Sequence, residues 1–323
     1  MGEITKIEWC HHTFNPWEGC TKVAPECAHC YAEARDVRYH QGDNWGPLRV
    51  LHHALPEPRT VGKRLIHVPA YFRKPIQWAK EAREAGERRR VFCMSLGDIL
   101  EDRDEVVDVR KRTLDIIDQT TDALDWLLLT KRPENAALIP DDIWRLVWAG
   151  ASAGTNDSLA RVWPHLRHIP AHIRFLSAEP LLEDVYFGKL NQLDFTEDSA
   201  GAEIYPLRGM AAIPDVDWRI QKCDWLIVGG ESGPGARPCD VAWIRSAIRQ
   251  CRAAKVPVFV KQLGAFPVVQ SHWDAAECPA KLSLVDKHPL SPWRIHLADR
   301  KGGDISKWPL DLRVREIPEV RHA

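Results

Sequence analysis

The sequence lacks the segments that mark membrane and exported proteins. Its 323 residues contain no run of about 18 apolar residues, the length that a membrane helix needs, and no apolar signal-peptide stretch near the start. Its nine cysteines are an odd number, and without an export signal they do not predict a disulfide framework. We therefore predict a soluble, cytoplasmic protein.

A strong charge of either sign, internal repeats beyond an alternation of strands and helices, and low-complexity segments are also missing. The net charge of −1 gives no overall attraction to nucleic acid. The chain is long for one domain, although α/β barrels often reach this length as a single unit. We predict one domain over residues 1–323, with a cluster-binding loop at 15–31, an acidic insertion at about 183–222 and an irregular C-terminal segment at about 265–323.

Short apolar runs alternate with helical patterns along the chain. The runs lack the period-two alternation of half-exposed strands, which is typical of parallel strands buried on both faces. They occur at 91–96, 126–129, 147–151, 173–176, 225–228 and 256–260. The helical patterns occur at 75–90, 104–119, 140–147 and 241–255. This alternation predicts an α/β fold, specifically a full or partial parallel βα barrel of the TIM type with insertions.

Polar or charged residues follow each predicted strand. Because the carboxyl ends of parallel strands open onto one rim, we expect these side chains to form one site. Some of them, such as Asp98 and Ser152, could instead only end a strand or cap the next helix. The long charged side chains are expected to bind substrate phosphate, to orient a cofactor or to pair with one another. These candidate catalytic residues are Lys131, Glu179, Glu231 and Lys261.

Three cysteines, Cys20, Cys27 and Cys30, share one short loop with the spacing C-x6-C-x2-C. Three thiolates can hold a metal centre but leave it one protein ligand short. One alternative is therefore a zinc knuckle with a fourth ligand, and another is a set of unligated structural thiols. The candidate fourth ligands are Cys10, His11, His12 and His29. The charged strand ends favour an iron–sulfur cluster, since its open iron can bind a substrate or cofactor.

Several motifs together resemble a known family. They are IEW at 7–9, FNPWEGCTKV at 14–23, CAHCYA at 27–32, DWLLLTKRP at 125–133, FLSAEPLL at 175–182, VGGESG at 228–233 and DLRVRE at 311–316. The pattern resembles the phage-associated three-cysteine-motif protein family of unknown function, which is related to the radical S-adenosylmethionine enzymes. The resemblance covers nearly the whole chain and is more specific for the family than for a reaction.

The resemblance implies a [4Fe-4S] cluster on Cys20, Cys27 and Cys30, with the methionine moiety of S-adenosylmethionine on the fourth iron. Electron transfer would then split the sulfonium and yield a 5′-deoxyadenosyl radical that abstracts hydrogen from a substrate. An electron donor of the reductase, flavodoxin or ferredoxin type would be the partner. The spacing between the first two cysteines is wider than is usual in radical S-adenosylmethionine enzymes.

The resemblance also implies contacts to the cofactor at the strand ends. The expected contacts are Gly97 and Asp98 for the amino acid end, Ser152 and Asn156 for the ribose, and Gly229, Gly230 and Glu231 for the adenine or carboxylate region.

Basic residues are concentrated in the segment 49–90, which holds eleven Lys or Arg against four Glu. Such a run is commonly a solvated helix face, and its sharper interpretation is a surface that contacts nucleic acid phosphates. The expected substrate class is therefore a nucleic acid or nucleotide that the enzyme modifies or repairs. The alternative is a zinc- or cluster-containing nucleic-acid-binding protein without radical chemistry. A redox sensor whose cluster is read by a partner is a third possibility.

Overall fold

The computed structural model describes residues 5–51, 59–188, 190–191, 203–208, 210–213, 216–219, 221–270, 281–284 and 292–319. Parts of the basic segment, the predicted insertion and the C-terminal segment lie outside these described residues. The chain divides into two compact units, and the single domain over residues 1–323 stays a prediction. Unit 1 comprises residues 1–151 and 169–172, and unit 2 comprises residues 152–168 and 173–323.

Unit 1 is built around four parallel strands. Its elements are β1 (His12–Thr13), β2 (Trp17–Glu18), α1 (Tyr31–His40), β3 (Arg49–Leu51), β4 (Arg59–Val61), β5 (Leu65–Ile66), α2 (Lys74–Ala85), β6 (Arg89–Cys93), α3 (Val107–Thr120), β7 (Leu124–Thr130), α4 (Asp141–Trp144) and β8 (Trp148–Ser152). Strands β1, β6, β7 and β8 pair in parallel in that order. Strands β2 and β5, and strands β3 and β4, form two short antiparallel pairs.

Unit 2 contributes three more parallel strands and two smaller sheets. Its elements are α5 (Asn156–Leu166), β9 (Ile173–Ala178), β10 (Leu190–Asn191), β11 (Glu203–Tyr205), β12 (Met210–Ile213), β13 (Val216–Arg219), β14 (Trp225–Gly229), β15 (Cys239–Asp240), α6 (Val241–Ala254), β16 (Val258–Gln262), β17 (Pro267–Val269), β18 (Lys281–Leu284) and β19 (Trp293–His296). Strands β9, β14 and β16 are parallel neighbours in that order. Strands β10 to β13 form an antiparallel sheet within the predicted insertion, and β15, β17, β19 and β18 form a mixed one.

The parallel strands form because their sequences bury side chains on both faces. Every residue of β8, β9 and β14 is buried, and only Leu129 of β7 is partly exposed. The neighbouring helices begin at side-chain caps: Thr155 accepts a hydrogen bond from the Ser158 amide at 3.0 Å, and Asp240 accepts one from the Ala242 amide at 2.9 Å. Each helix then starts at a defined position beside its strand.

The fold class predicted from the sequence is confirmed at the level of a mixed α/β fold with a large parallel sheet of seven strands, which is compatible with a partial βα barrel. All six apolar runs coincide with strands of this sheet, namely β6, β7, β8, β9, β14 and β16. The four helical patterns correspond to α2, α3, α4 and α6. Among the described residues, no helix has the length and apolar character needed to cross a membrane.

Candidate functional site

The cysteine loop leaves β2 at a glycine that no larger residue can replace. Gly19 has a φ of +110°, and a Cβ atom there would lie 2.1 Å from the backbone oxygen of Asn44. The Gly19 amide donates to the oxygen of Leu96 at 2.9 Å, and the oxygen of Cys20 accepts from the Gly46 amide at 2.9 Å. The start of the loop is therefore held on two sides by backbone hydrogen bonds.

Cys20 and Cys30 share one apolar environment. Both are partly buried and pack against the cluster formed by Ala32, Trp45 and Leu96. Although ten positions apart in the sequence, the first and third cysteines of the motif thus contact the same group of side chains.

Cys30 is the residue that precedes α1, and this position affects its thiol. Burial raises the pKa of Cys30, while the backbone amides of Glu33 and Ala32 and the charge of Lys131 partly offset that rise. The thiolate of Cys27 raises it further, which places Cys27 and Lys131 within electrostatic range of Cys30. A helix N-terminus and a nearby cation are both features that favour a thiolate.

The Cys20 thiol has an arginine as its neighbour. Arg132 Nη1 lies 3.4 Å from Cys20 Sγ. Burial and the carboxylate of Asp98 raise the pKa of Cys20 to about 12, with Arg132 opposing and Glu101 adding to the rise. Cys20 is therefore protonated near neutral pH, and a metal ion would have to displace its proton on binding.

Thr21, the residue after Cys20, is held by three buried charged side chains. Its amide donates to Glu101 Oε1 at 3.1 Å, its Oγ1 accepts from Arg64 Nη2 at 2.8 Å and its backbone oxygen accepts from Arg132 Nη2 at 2.6 Å. The side chains of Arg64, Glu101 and Arg132 are 0%, 4% and 8% exposed. All three polar groups of Thr21 are thus fixed, and the position of Cys20 is fixed with them.

The Arg64–Glu101 pair anchors this arrangement. Arg64 Nε and Nη2 contact the two Glu101 oxygens at 2.6 and 2.7 Å, which is the bidentate geometry of a strong ion pair. Arg64 Nη1 also donates to the backbone oxygens of Asn44 at 2.8 Å and Gly62 at 2.9 Å. One buried guanidinium therefore connects the cysteine loop to the segments on either side of the β3–β4 hairpin.

Asp98, a predicted cofactor contact, uses both carboxylate oxygens within the protein. Oδ1 accepts from Thr130 Oγ1 at 2.7 Å and from the Leu100 amide at 3.0 Å. Oδ2 accepts from the Lys131 amide and from Arg132 Nη1, each at 3.0 Å. Asp98 thus holds the end of β7, and its predicted contact with the cofactor would require some of these four bonds to be exchanged.

Gly97 lies directly beneath the cysteine loop. A Cβ atom at this position would lie 3.1 Å from the oxygen of Gly19 and 3.3 Å from Trp17 Nε1. The structure therefore brings a set of the sequence-predicted site residues together in unit 1. They are Cys20, Cys27, Cys30, Gly97, Asp98 and Lys131.

A second set of predicted residues meets at strand ends in unit 2. Lys261 Nζ lies 2.8 Å from Glu179 Oε1, and the other oxygen of Glu179 accepts from Ser177 Oγ at 3.2 Å. A Cβ atom on Gly229 would lie 3.3 Å from Glu179 Oε1, so the strand β14 passes close to this pair. Pairing between Lys261 and Glu179 is one of the alternatives that the sequence predicts for them.

Glu231 forms the other ion pair of unit 2. Its oxygens contact Arg237 Nη2 at 2.6 Å and Arg237 Nε at 3.0 Å, and the Arg237 amide donates to Oε2 at 2.8 Å. The neighbouring Gly230 allows a close backbone approach, since a Cβ atom there would lie 2.4 Å from the oxygen of Leu263. Gln262 Nε2 donates to the Gly230 oxygen at 2.9 Å.

Ser152 and Asn156, the predicted ribose contacts, lie at the end of β8 and the start of α5. Ser152 is buried. Asn156 Nδ2 donates to Glu183 Oε1 at 2.8 Å and to the oxygen of Asp184 at 3.0 Å, and its Oδ1 accepts from the Tyr186 amide at 2.9 Å. Asn156 thus fixes the segment after β9, and a ribose contact would have to replace these bonds.

Sequence reasoning missed the two residues that anchor the cysteine loop. Arg64 is one cation in a basic run, and Glu101 is one acid after a strand, 37 positions away. Neither belongs to a periodic or spaced pattern. Arg132, the third charged residue that holds Thr21, does have a sequence signal, because it lies in the motif TKRP that forms part of the family resemblance.

Ion pairs account for much of the basic segment 49–90. In the part of the chain that the structure describes, six of its eleven cations have carboxylate partners. The pairs are Arg59–Asp43, Arg64–Glu101, Lys80–Glu84, Arg83–Asp122, Arg88–Asp125 and Arg89–Glu81. Binding of nucleic acid through this segment stays a prediction, and fewer of its charges are available than the sequence suggests.

The three thiols suit a soft metal, but they are not gathered around a common point. Within the described ranges, no group of three or more His, Cys, Asp or Glu side chains is placed to hold a metal ion. Cys20, Cys27 and Cys30 are all free thiols. Metal binding at these cysteines would therefore require the cysteine loop to rearrange.

Comparisons with known proteins identify a family. A family model described as a protein of unknown function (DUF5131) matches residues 4–296, which is nearly the whole chain. No curated protein and no solved structure matches. The family description includes no reaction, so the phage association and the relationship to radical S-adenosylmethionine enzymes stay predictions. The chain belongs to the DUF5131 family, a family of unknown function.

Proposed function

We propose that this protein is an enzyme whose three-cysteine loop binds a [4Fe-4S] cluster and whose reaction is of the radical S-adenosylmethionine type, acting on a nucleic acid or nucleotide. The proposal depends on one observation: Arg132 contacts the sulfur of Cys20 at 3.4 Å while three buried charged side chains hold Thr21. Burying these three charged side chains is costly. In known metal sites, side chains that contact a metal ligand hold that ligand in the orientation needed for binding.

The donor set is chemically suited to the cluster. The loop offers three thiols, and iron–sulfur clusters are held by cysteine thiolates. Cys20 and Cys30 already contact one apolar cluster, so the movement needed to gather the sulfur atoms is local to the loop. We also propose that the parallel sheet is part of a partial βα barrel like that of the radical S-adenosylmethionine enzymes.

The residues of unit 1 would prepare the thiols. The guanidinium of Arg132, which Asp98 holds in place at 3.0 Å, would partly offset the cost of deprotonating Cys20 when a metal binds. The charge of Lys131 favours the thiolate of Cys30. Cys20 and Cys30 also pack against the apolar cluster of Ala32, Trp45 and Leu96, which reduces the contact of both residues with water. The chemistry that a bound cluster supplies is one-electron cleavage of S-adenosylmethionine to a 5′-deoxyadenosyl radical.

The ion pairs of unit 2 would bind a phosphate or carboxylate group. Lys261 is 23% exposed and Glu179 13% exposed, so this pair is accessible from solvent. Arg237 is also partly exposed, whereas its partner Glu231 is buried. A partly exposed cation with a buried carboxylate partner can bind a phosphate or carboxylate and still compensate the charge of its own partner.

Anaerobic reconstitution of the full chain with iron and sulfide tests the proposal. We expect iron and acid-labile sulfide in equal amounts, visible cluster absorption, and 5′-deoxyadenosine after addition of S-adenosylmethionine and a strong reductant. Cys27→Ala should abolish all three. Cys10→Ala is the matched control, because Cys10 is a buried thiol outside the loop.

Two results would contradict the proposal. One is iron loading of Cys27→Ala equal to that of the wild type. The other is a cluster-loaded protein that forms no 5′-deoxyadenosine with any reductant. Zinc without sulfide in the purified chain would instead favour the zinc-containing nucleic-acid-binding alternative.

A further inference from the structure

The outer face of α1 carries tyrosine and arginine side chains in one row. At about 100° per residue, Tyr31, Arg35, Arg38 and Tyr39 fall within one arc of about 100° on the helix; we call these four residues the α1 stripe. The Tyr31 side chain is 53% exposed and the Tyr39 side chain 62% exposed. Two large aromatic rings are thus presented to solvent on a single helix face.

The side chains of the α1 stripe are held in position by neighbouring groups. The Tyr31 hydroxyl donates to the backbone oxygen of Ser95 at 2.5 Å. The guanidinium carbons of Arg35 and Arg38 lie 5.5 and 5.4 Å from the centre of the Tyr39 ring. Arg35 also pairs with the buried carboxylate of Glu18, whereas Arg38 is exposed. The stripe therefore combines two oriented rings, and two guanidinium groups lie over one of them, the ring of Tyr39.

We propose that the α1 stripe binds single-stranded nucleic acid, with bases stacked on Tyr31 and Tyr39 and a phosphate against Arg38. The choice of a nucleic acid rests on the proposed function. Aromatic side chains that stack bases, beside cations that contact phosphates, are the recurring means of binding single strands. A duplex keeps its base faces inside the stack and cannot use exposed rings in this way.

The dimensions of the α1 stripe fit a short strand. Tyr31 and Tyr39 are eight residues apart, which is about 12 Å along a helix. Stacked nucleotides are spaced by about 3.4 Å along one strand, so the two rings span about three to four nucleotides. Tyr31 directly follows Cys30, so a strand bound here would begin beside the cysteine loop. The α1 stripe is a more specific candidate than the basic segment 49–90, where six of eleven cations are paired.

Fluorescence anisotropy with a labelled short oligothymidylate tests the proposal on the full chain without reconstitution. Tyr39→Ala should raise the dissociation constant about 5- to 140-fold, because stacking on an aromatic ring has that effect per base. Tyr39→Phe keeps the ring and should bind like the wild type. Arg38→Ala should lower the slope of log affinity against log salt by about 0.7, the value for one phosphate contact on a single strand.

Val37→Ser is the matched control, since Val37 is 58% exposed on the opposite side of α1. It should leave the affinity unchanged. The proposal is wrong if the wild type does not bind the oligonucleotide, if a duplex of the same length binds as tightly, or if Val37→Ser weakens binding as much as Tyr39→Ala. Because the chain is tested without iron, these outcomes are independent of whether the cysteines hold a cluster.

Discussion

Removing the charge of Glu101 should destabilise unit 1 strongly. Glu101→Gln would leave Arg132 with Asp98 as its buried carboxylate partner and would remove the carboxylate that pairs with the Arg64 guanidinium. The Arg64 and Glu101 side chains are 0% and 4% exposed, so water cannot compensate for the lost partner. Removing one member of a buried ion pair costs about 3–5 kcal/mol. In a unit of this size about 1 kcal/mol shifts the melting temperature by about 2–4 °C, so we expect a decrease of about 6–20 °C.

Thermal unfolding followed by circular dichroism or calorimetry measures this effect. Arg83→Gln is the matched control, because Arg83 and its partner Asp122 are 45% and 59% exposed and such a pair contributes little. The double variant Arg64→Met/Glu101→Gln should cost less than the sum of the two single variants, since the two side chains interact directly. If Glu101→Gln melts within error of Arg83→Gln, or if the two single effects simply add, the buried pair does not hold the loop as inferred.

Three further predictions concern Cys20 in unit 1 and two contacts in unit 2. With a pKa of about 12, Cys20 in the metal-free chain should be alkylated about a thousandfold more slowly at pH 8 than an ordinary exposed thiol. The rate of alkylation should increase as the pH rises. Mass spectrometry of the alkylated peptides measures this rate, and labelling of Cys20 equal to that of an exposed thiol would refute the prediction. Gly230→Ala would place a Cβ atom 2.4 Å from the backbone oxygen of Leu263 and should destabilise unit 2 by about 1–3 kcal/mol, as measured by denaturant unfolding. In the control variant Gly188→Ala the new Cβ atom would lie 3.3 Å from a tyrosine ring, and the stability should not decrease in this way. Lys261→Met should reduce the formation of 5′-deoxyadenosine by the reconstituted protein. Its melting temperature should change little, because the Lys261–Glu179 pair is partly exposed. An unchanged yield of 5′-deoxyadenosine would show that Lys261 is not part of the candidate site.

The parallel sheet could be predicted because buried parallel strands leave a local signal. All residues of β8, β9 and β14 are buried, so each strand is a short apolar run whatever its neighbours are. Helix α1 leaves no such signal. Only Ala32 and Asp36 are buried on it, and Asp36 is held by hydrogen bonds from Asn44. A helix fixed by polar contacts has no apolar stripe for a sequence pattern to detect.

The candidate site was predictable only where its residues are close in the sequence. The spacing of the cysteines and the position of Asp98 after a strand are local features of the sequence. The three cysteines and Asp98 all lie in unit 1. The Arg64–Glu101 pair joins positions 37 residues apart, and a pairing of two side chains over that distance leaves no periodicity. Sequence reasoning therefore identifies the candidate metal ligands but not the residues that hold them.

The buried charged side chains around Thr21 and Asp98 affect the protonation of the Cys20 thiol. Arg64 and Arg132 provide two positive charges, and Asp98 and Glu101 provide two negative ones. Burial and the carboxylates of Asp98 and Glu101 disfavour a thiolate at Cys20 more strongly than Arg132 favours it, which raises the pKa of this thiol to about 12. A metal cation bound at this sulfur would offset the negative charge of the thiolate and displace the proton. In the metal-free chain Cys20 is therefore a neutral thiol, and its deprotonation would become favourable on the proposed metal binding.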